Sequence, residues 1–302
     1  MRVVSVLPSA TEIVHALGHG AELVARSAEC DYPPEVRALP VVMQPRTLDS
    51  ERPSGEIDRR VVAARSRGES LYRLDAALLR AVRPDVLFTQ NLCGVCSVTE
   101  QEVRDACARA GVNPRVVSLA PTNHEEVWAS FLTVGEALGD AAAGRRLSQA
   151  VHGRARAGRS TGHRVAVVEW LDPPILSGLW TPDMIRVAGG LPLGPRSGEP
   201  GIRSSWVDVV RAAPDLLVVS PCSFSVARTA REIRENRELE EALSSIRAPL
   251  GVYLADEAYF ARPGPRLAEG VALVRAILGG TPPGGPMPVE VFEGSRTAEV
   301  GP

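Results

Sequence analysis

The sequence predicts an α/β protein of two parallel-sheet lobes joined by one long helix. Three observations predict it. Short β-branched apolar runs alternate with helical stretches through both halves of the 302 residues, the pattern of parallel sheets with helical crossovers. Residues 78–88 (LLRAVRPDVLF) are echoed by 209–218 (VVRAAPDLLV), each reading as a helix, a Pro-Asp turn and a buried strand. Two related lobes, or one loop solution used twice, would give that repeat. Between the halves, 122–158 contains no proline and spaces Val127, Phe131, Val134, Leu138 and Leu147 near helical period.

The first lobe, 1–121, opens on Val3, Val4, Val6 and Leu7, a buried strand over 2–7. Pro8 ends it, and Ser9 with Glu12 fits the capping box of a helix near 10–18. Further strands are expected near 22–27, 85–90 and 115–119, and helices near 71–82 and 99–110, with Gly18 and Gly111 as stops. The segment 44–69, with Arg46, Arg52, Arg59, Arg60, Arg65 and Arg67, reads as a long polar insert, a length that is usually functional or disordered. The linking helix occupies 122–159, capped by Thr122, with Glu125 and Glu126 in its first turn and a kink near Gly139 or Gly144. At about 1.5 Å per residue it is long enough to span both lobes, which limits their closure. The second lobe, 160–280, begins with a strand at 164–170, followed by strands near 215–220 and 251–255 and helices near 181–189, 205–212, 231–244 and 264–278. The tail, 281–302, is rich in proline and glycine and is expected to be loosely ordered.

Composition excludes several functions. A net charge of -2 gives no basic field for nucleic acid. No apolar run reaches the roughly 18 residues of a membrane span, so no membrane insertion is expected. All 34 basic residues are arginine, which removes P-loop and Schiff-base chemistry. No Gly-x-Ser-x-Gly elbow or Gly-x-Gly-x-x-Gly turn follows a strand. His15 and His19 share a helix face without an evident third ligand, and His124 reads as part of a helix start. The cysteines number 5, an odd count that argues for reduced thiols. The chain enters its first strand with no export segment, so a cytoplasmic location is expected, or a periplasmic or cell-surface one if a signal was removed.

In open parallel sheets, ligands bind beyond the carboxyl ends of the strands. Reading those ends gives the candidate site: Pro8 and Ser9; Cys30, Asp31 and Tyr32; Cys93 and Cys96; Trp170; Cys222 and Phe224; and Tyr259, with Trp180 and Trp206 on the helices that follow. The aromatics would offer rigid apolar area with a polar tip; the alternative for each is a place in the core. Cys93 and Cys96 form a CxxC, open to packing, metal ligation or redox chemistry. Cys30, Cys93 and Cys96 are the candidate metal set, with Asp31 as a fourth donor if their loops converge.

The segments 7–13 (LPSATEI), 30–34 (CDYPP), 78–88, 169–173 (EWLDP), 180–182 (WTP) with 188–190 (AGG), and 262–267 (RPGPRL) occur in an order and spacing that resembles the helical-backbone, class III substrate-binding proteins of ABC importers. The cobalamin-binding branch is the most similar, within it a cytosolic-looking subgroup without signal peptides. That resemblance implies reversible binding of cobalamin or a related corrinoid between two lobes, with no chemistry on the ligand, for storage, buffering or hand-over. The partner would be an ABC transporter or a cobalamin-using protein. Two alternatives stand beside it: a receptor for haem or an iron chelate, and a thiol- or metal-dependent enzyme on the same scaffold.

Overall fold

The computed structural model describes residues 1–46, 51–91, 98–281 and 288–293. The chain divides into two compact units. The first comprises Met1–Arg52, Glu56–Gly153 and Arg262–Pro265; the second comprises Pro53–Gly55, Arg154–Ala261 and Arg266–Pro302.

In the first part of the chain the elements run β1 (Val3–Ser5), α1 (Pro8–Ala16), β2 (Leu23–Ser27), β3 (Val41–Pro45), α2 (Ser54–Ser66), β4 (Tyr72–Leu74), α3 (Ala76–Val82), β5 (Val86–Gln90), α4 (Glu100–Ala110), β6 (Arg115–Leu119), α5 (His124–Ala137) and α6 (Ala141–Arg154). The first unit's sheet has the order β4-β3-β2-β1-β5-β6. Its pairings are parallel except for the edge pair β3–β4. The β-branched runs of β1 and β5 are buried on both faces, as a central parallel strand requires.

The second part contains β7 (Arg164–Leu171), β8 (Pro174–Leu176), α7 (Thr181–Ala188), β9 (Leu191–Leu193), β10 (Ile202–Arg203), α8 (Trp206–Arg211), β11 (Leu216–Val219), α9 (Val226–Glu235), α10 (Arg237–Ser244), β12 (Val252–Ala255), α11 (Leu267–Leu278) and β13 (Val289–Val291). This sheet runs β10-β8-β7-β11-β12-β13, with β9 also beside β7. The pairs β7–β11 and β11–β12 are parallel, while β8, β10 and β13 pair antiparallel. Both sheets are therefore parallel at the centre and mixed toward the edges.

Several local expectations change. Helix α1 starts at Pro8, which occupies its first turn, where a fixed φ and a missing N–H carry no penalty. Ser9 is thus inside the helix and buried rather than capping it, and Glu12 is buried beyond the first turn. The polar stretch 44–69 holds the end of β3 and the whole of α2. The helix expected over 71–82 begins as β4, because Tyr72–Leu74 pairs with Met43, Gln44 and Pro45; Asp75 then caps α3 by accepting from the Leu78 amide. The helix expected over 231–244 is two, broken at Asn236, whose extended backbone ends α9 and whose side chain caps α10. Within the tail, β13 pairs with β12.

The connecting stretch, expected as a kinked helix over 122–158, is interrupted at Leu138–Asp140. Gly139 takes a left-handed φ of +78°, and Asp140 restarts the helix by accepting from the Ala143 amide at 2.8 Å. The two helices then approach closely: a Cβ on Gly144 would lie 2.7 Å from the Phe131 carbonyl oxygen. His19 faces this corner. Its Nδ1 lies 2.9 Å from Glu22 Oε1 and its Nε2 lies 3.5 Å from Asp140 Oδ2. A neutral imidazole has one N–H, so only the imidazolium can donate to both carboxylates. The Glu22 hydrogen bond raises the His19 pKa above its ordinary value, burial opposes this, and Asp140 adds to the rise. The sign follows: the stabilisation is full at pH below the unfolded-state value and is lost as pH rises through the higher folded value. The urea midpoint of the wild type should accordingly fall across that window, and His19→Gln should flatten this part of the profile. Identical profiles would show that the histidine is not coupled to folding.

Candidate functional site

At the carboxyl end of the first unit's sheet, β1 turns into α1 through Leu7 and Pro8, and β2 runs into Glu29, Cys30, Asp31 and Tyr32. Cys30 is buried, with Thr11 Oγ1 at 3.0 Å from its sulfur and 2.9 Å from Ser5 Oγ. Burial pushes the Cys30 thiol up to about 11, so it is a protonated, hydrogen-bonded core thiol at neutral pH. Asp31 points to Arg262, whose Nη1 lies 2.5 Å from Asp31 Oδ1 and 3.4 Å from Glu12 Oε1. Burial raises the Glu29 pKa; Arg262 opposes the rise and Asp31 adds to it. Tyr32 follows this ion-paired stretch and is 44% exposed.

At the carboxyl end of the second unit's sheet, β7 delivers Trp170 and the loop after β11 delivers Cys222 and Phe224. The Trp170 and Phe224 rings are 5.4 Å apart at 50°, a tilted aromatic pair. The guanidinium of Arg228 lies over the other ring, 4.3 Å from the Phe224 centroid, and its Nη1 is 2.9 Å from Glu232 Oε2. Trp206, the first residue of α8, donates its indole N–H to the Leu171 carbonyl at 3.0 Å. Beside it in sequence, Val207 is 65% exposed.

The remaining candidates are buried, except Cys222. Trp180 is buried and donates to the Phe260 carbonyl at 2.7 Å. Tyr259 is buried, with Arg266 over its ring at 5.2 Å and its phenol pKa raised by burial. Phe224 is buried under Trp170 and Arg228. Cys222 is half-buried, and its amide donates to the Glu169 carbonyl at 3.0 Å. Cys30 and Cys107 are free thiols. Cys93 and Cys96 lie outside the described residues. Among the described residues, no group of three or more His, Cys, Asp or Glu side chains is placed to hold a metal ion. Sequence reading did not single out Arg228, Glu232, Arg262 or Val207, and it named Glu12 only for a capping box. Arg262 sat in a quoted motif, but nothing in the motif reveals its carboxylate partners.

The structure is similar to a periplasmic haem-binding protein from Pseudomonas aeruginosa, with a TM-score of 0.67 and 20% identity over 94% of this chain and 95% of that one. It is also similar to the periplasmic vitamin B12-binding protein BtuF of Vibrio cholerae, with a TM-score of 0.59 and 18% identity over 92% and 96% of the two chains. The chain has the class III periplasmic binding-protein fold. Both class III neighbours are named for binding rather than for catalysis. At the sequence level, a vitamin B12-binding protein of Photorhabdus laumondii is 44% identical over 52 residues, which are 17% of this chain and 19% of that protein. The match therefore spans about a fifth of that relative's length. No protein-family model matches the chain. Among the described residues, no helix of this class III chain is long and apolar enough to cross a membrane. The neighbours are called periplasmic, and nothing in these comparisons supports the cytoplasmic location expected from the sequence.

Proposed function

We propose that this chain reversibly binds a broad planar metal chelate, cobalamin or a related corrinoid, and holds it for storage, buffering or hand-over. The observation that carries the reading is the set of aromatic rings at the carboxyl ends of the sheets. Tyr32 is exposed, Trp170 and Trp206 are partly exposed, and Val207 adds apolar surface next to Trp206. Such rings present large rigid area at little entropic cost, which suits the apolar face of a macrocycle. The B12-binding relatives favour a corrinoid over a porphyrin. The partner that receives or delivers the ligand would be an ABC importer or a cobalamin-using protein.

Haem is the second reading, favoured by the haem-binding neighbour of the same fold. The test is to titrate cobalamin, and separately haemin, into the ligand-free protein while recording absorption spectra and heats. Saturable cobalamin binding at one molecule per chain is the expected result. Saturation by haemin alone would move the ligand to a porphyrin, and no saturation by either would end the chelate reading.

A further inference from the structure

Three tryptophans of the second unit lie at or near the sheet's carboxyl end, and two of them are fixed through their indole nitrogens. Trp180 donates to the Phe260 carbonyl and Trp206 to the Leu171 carbonyl. The Trp170 indole N–H is buried and has no acceptor among the described residues. An indole without a directional bond is free to rotate unless packing stops it, so its orientation depends on its neighbours.

Those neighbours form a continuous series. Trp170 packs on Phe224 at 5.4 Å, Arg228 covers Phe224 at 4.3 Å, and Arg228 pairs with Glu232 at 2.9 Å. Arg228 and Glu232 are both largely buried, with side-chain exposures of 10% and 5%. The far end of the series is Ser54. Its amide donates to Glu232 Oε1 at 2.8 Å, and its hydroxyl donates to the same oxygen. Ser54 is fully buried and belongs to the segment Pro53–Gly55 of the second unit. It is also the first residue of α2, where N–H groups without intrahelical partners favour an acidic partner.

We propose that Ser54 is a positioning residue for the ligand wall: by holding the Glu232 carboxylate it fixes Arg228 on Phe224 and so sets the Trp170 ring face offered to the ligand. This gives the polar stretch 44–69 a role that its composition does not announce. The proposal rests on the chelate reading for its ligand but not for its ligand-free signature.

The test is a double-mutant cycle between Ser54→Ala and Trp170→Phe, read in two ways. Near-ultraviolet circular dichroism without ligand, taken as the difference between each protein and its Trp170→Phe counterpart, reports the Trp170 environment. Cobalamin affinity is the second readout. Ser54→Ala should change the Trp170 signal and weaken cobalamin binding roughly threefold to tenfold, the scale of one lost hydrogen bond. In the Trp170→Phe background the affinity effect should vanish, and Ser54→Thr should restore both readouts. If Ser54→Ala loses native far-ultraviolet dichroism, Glu232→Gln carries the same comparison. An unchanged Trp170 signal overturns the proposal, as does an equal affinity loss with and without Trp170. If cobalamin does not bind the wild type, the chelate reading fails and the ligand-free signal alone decides the positioning role.

Discussion

Arg262→Ala is expected to destabilise the protein by about 3–5 kcal/mol, the usual result of removing one partner of a buried ion pair. The Glu12 side chain is only 2% exposed, and the Arg262 guanidinium faces both it and Asp31. Asp31 is 43% exposed and can turn to water; Glu12 cannot. Urea unfolding should therefore show a lower midpoint with an unchanged slope. Asp31→Ala should cost about 1 kcal/mol or less, as a partly exposed pair does. Glu12→Gln combined with Arg262→Met should recover much of the loss, because replacing both partners removes the uncompensated charge. A midpoint for Arg262→Ala equal to that of Asp31→Ala would mean that Glu12 does not depend on this guanidinium.

The second large effect is on binding. Trp170→Ala should weaken cobalamin by about 1–3 kcal/mol, or roughly tenfold to a hundredfold, the range of an aromatic anchor. Tyr32→Ala should act similarly. Trp180→Ala should instead lower stability, since its buried indole bonds the Phe260 carbonyl. Calorimetric titration and urea unfolding of the same three variants separate these outcomes. Wild-type affinity in both Trp170→Ala and Tyr32→Ala would remove these rings from the ligand surface.

What the sequence made legible was the repeated core. Short apolar runs such as Val3–Val4 and Leu216–Val219, rich in valine and buried throughout, suit central parallel strands. The edges were less legible because their strands are decided by pairing. Tyr72–Leu74 reads as the start of a helix until Met43–Pro45 is placed beside it, and β13 needs β12 in the same way. Helix α2 was hidden by its arginines, which pair along its surface as Arg60 does with Glu56. The site divides similarly. Strand ends and the helices after them marked Tyr32, Trp170, Trp180, Trp206 and Tyr259 alike, but only packing distinguishes the partly exposed rings from the buried Trp180 and Tyr259. The Ser54–Glu232 bond joins residues 178 apart, and no local pattern encodes it.

The return of Arg262–Pro265 to the first unit bears on the order of synthesis. N-terminal units generally fold first as a chain leaves the ribosome. Here the residues up to Gly153 emerge with Glu12 still lacking its guanidinium, and Arg154–Ala261 must be made before Arg262 arrives. The first unit can collapse early, but Glu12 meets the Arg262 guanidinium only when the second is nearly made. Severing the chain after Gly153 would leave a fragment that no longer contains all of its own interior.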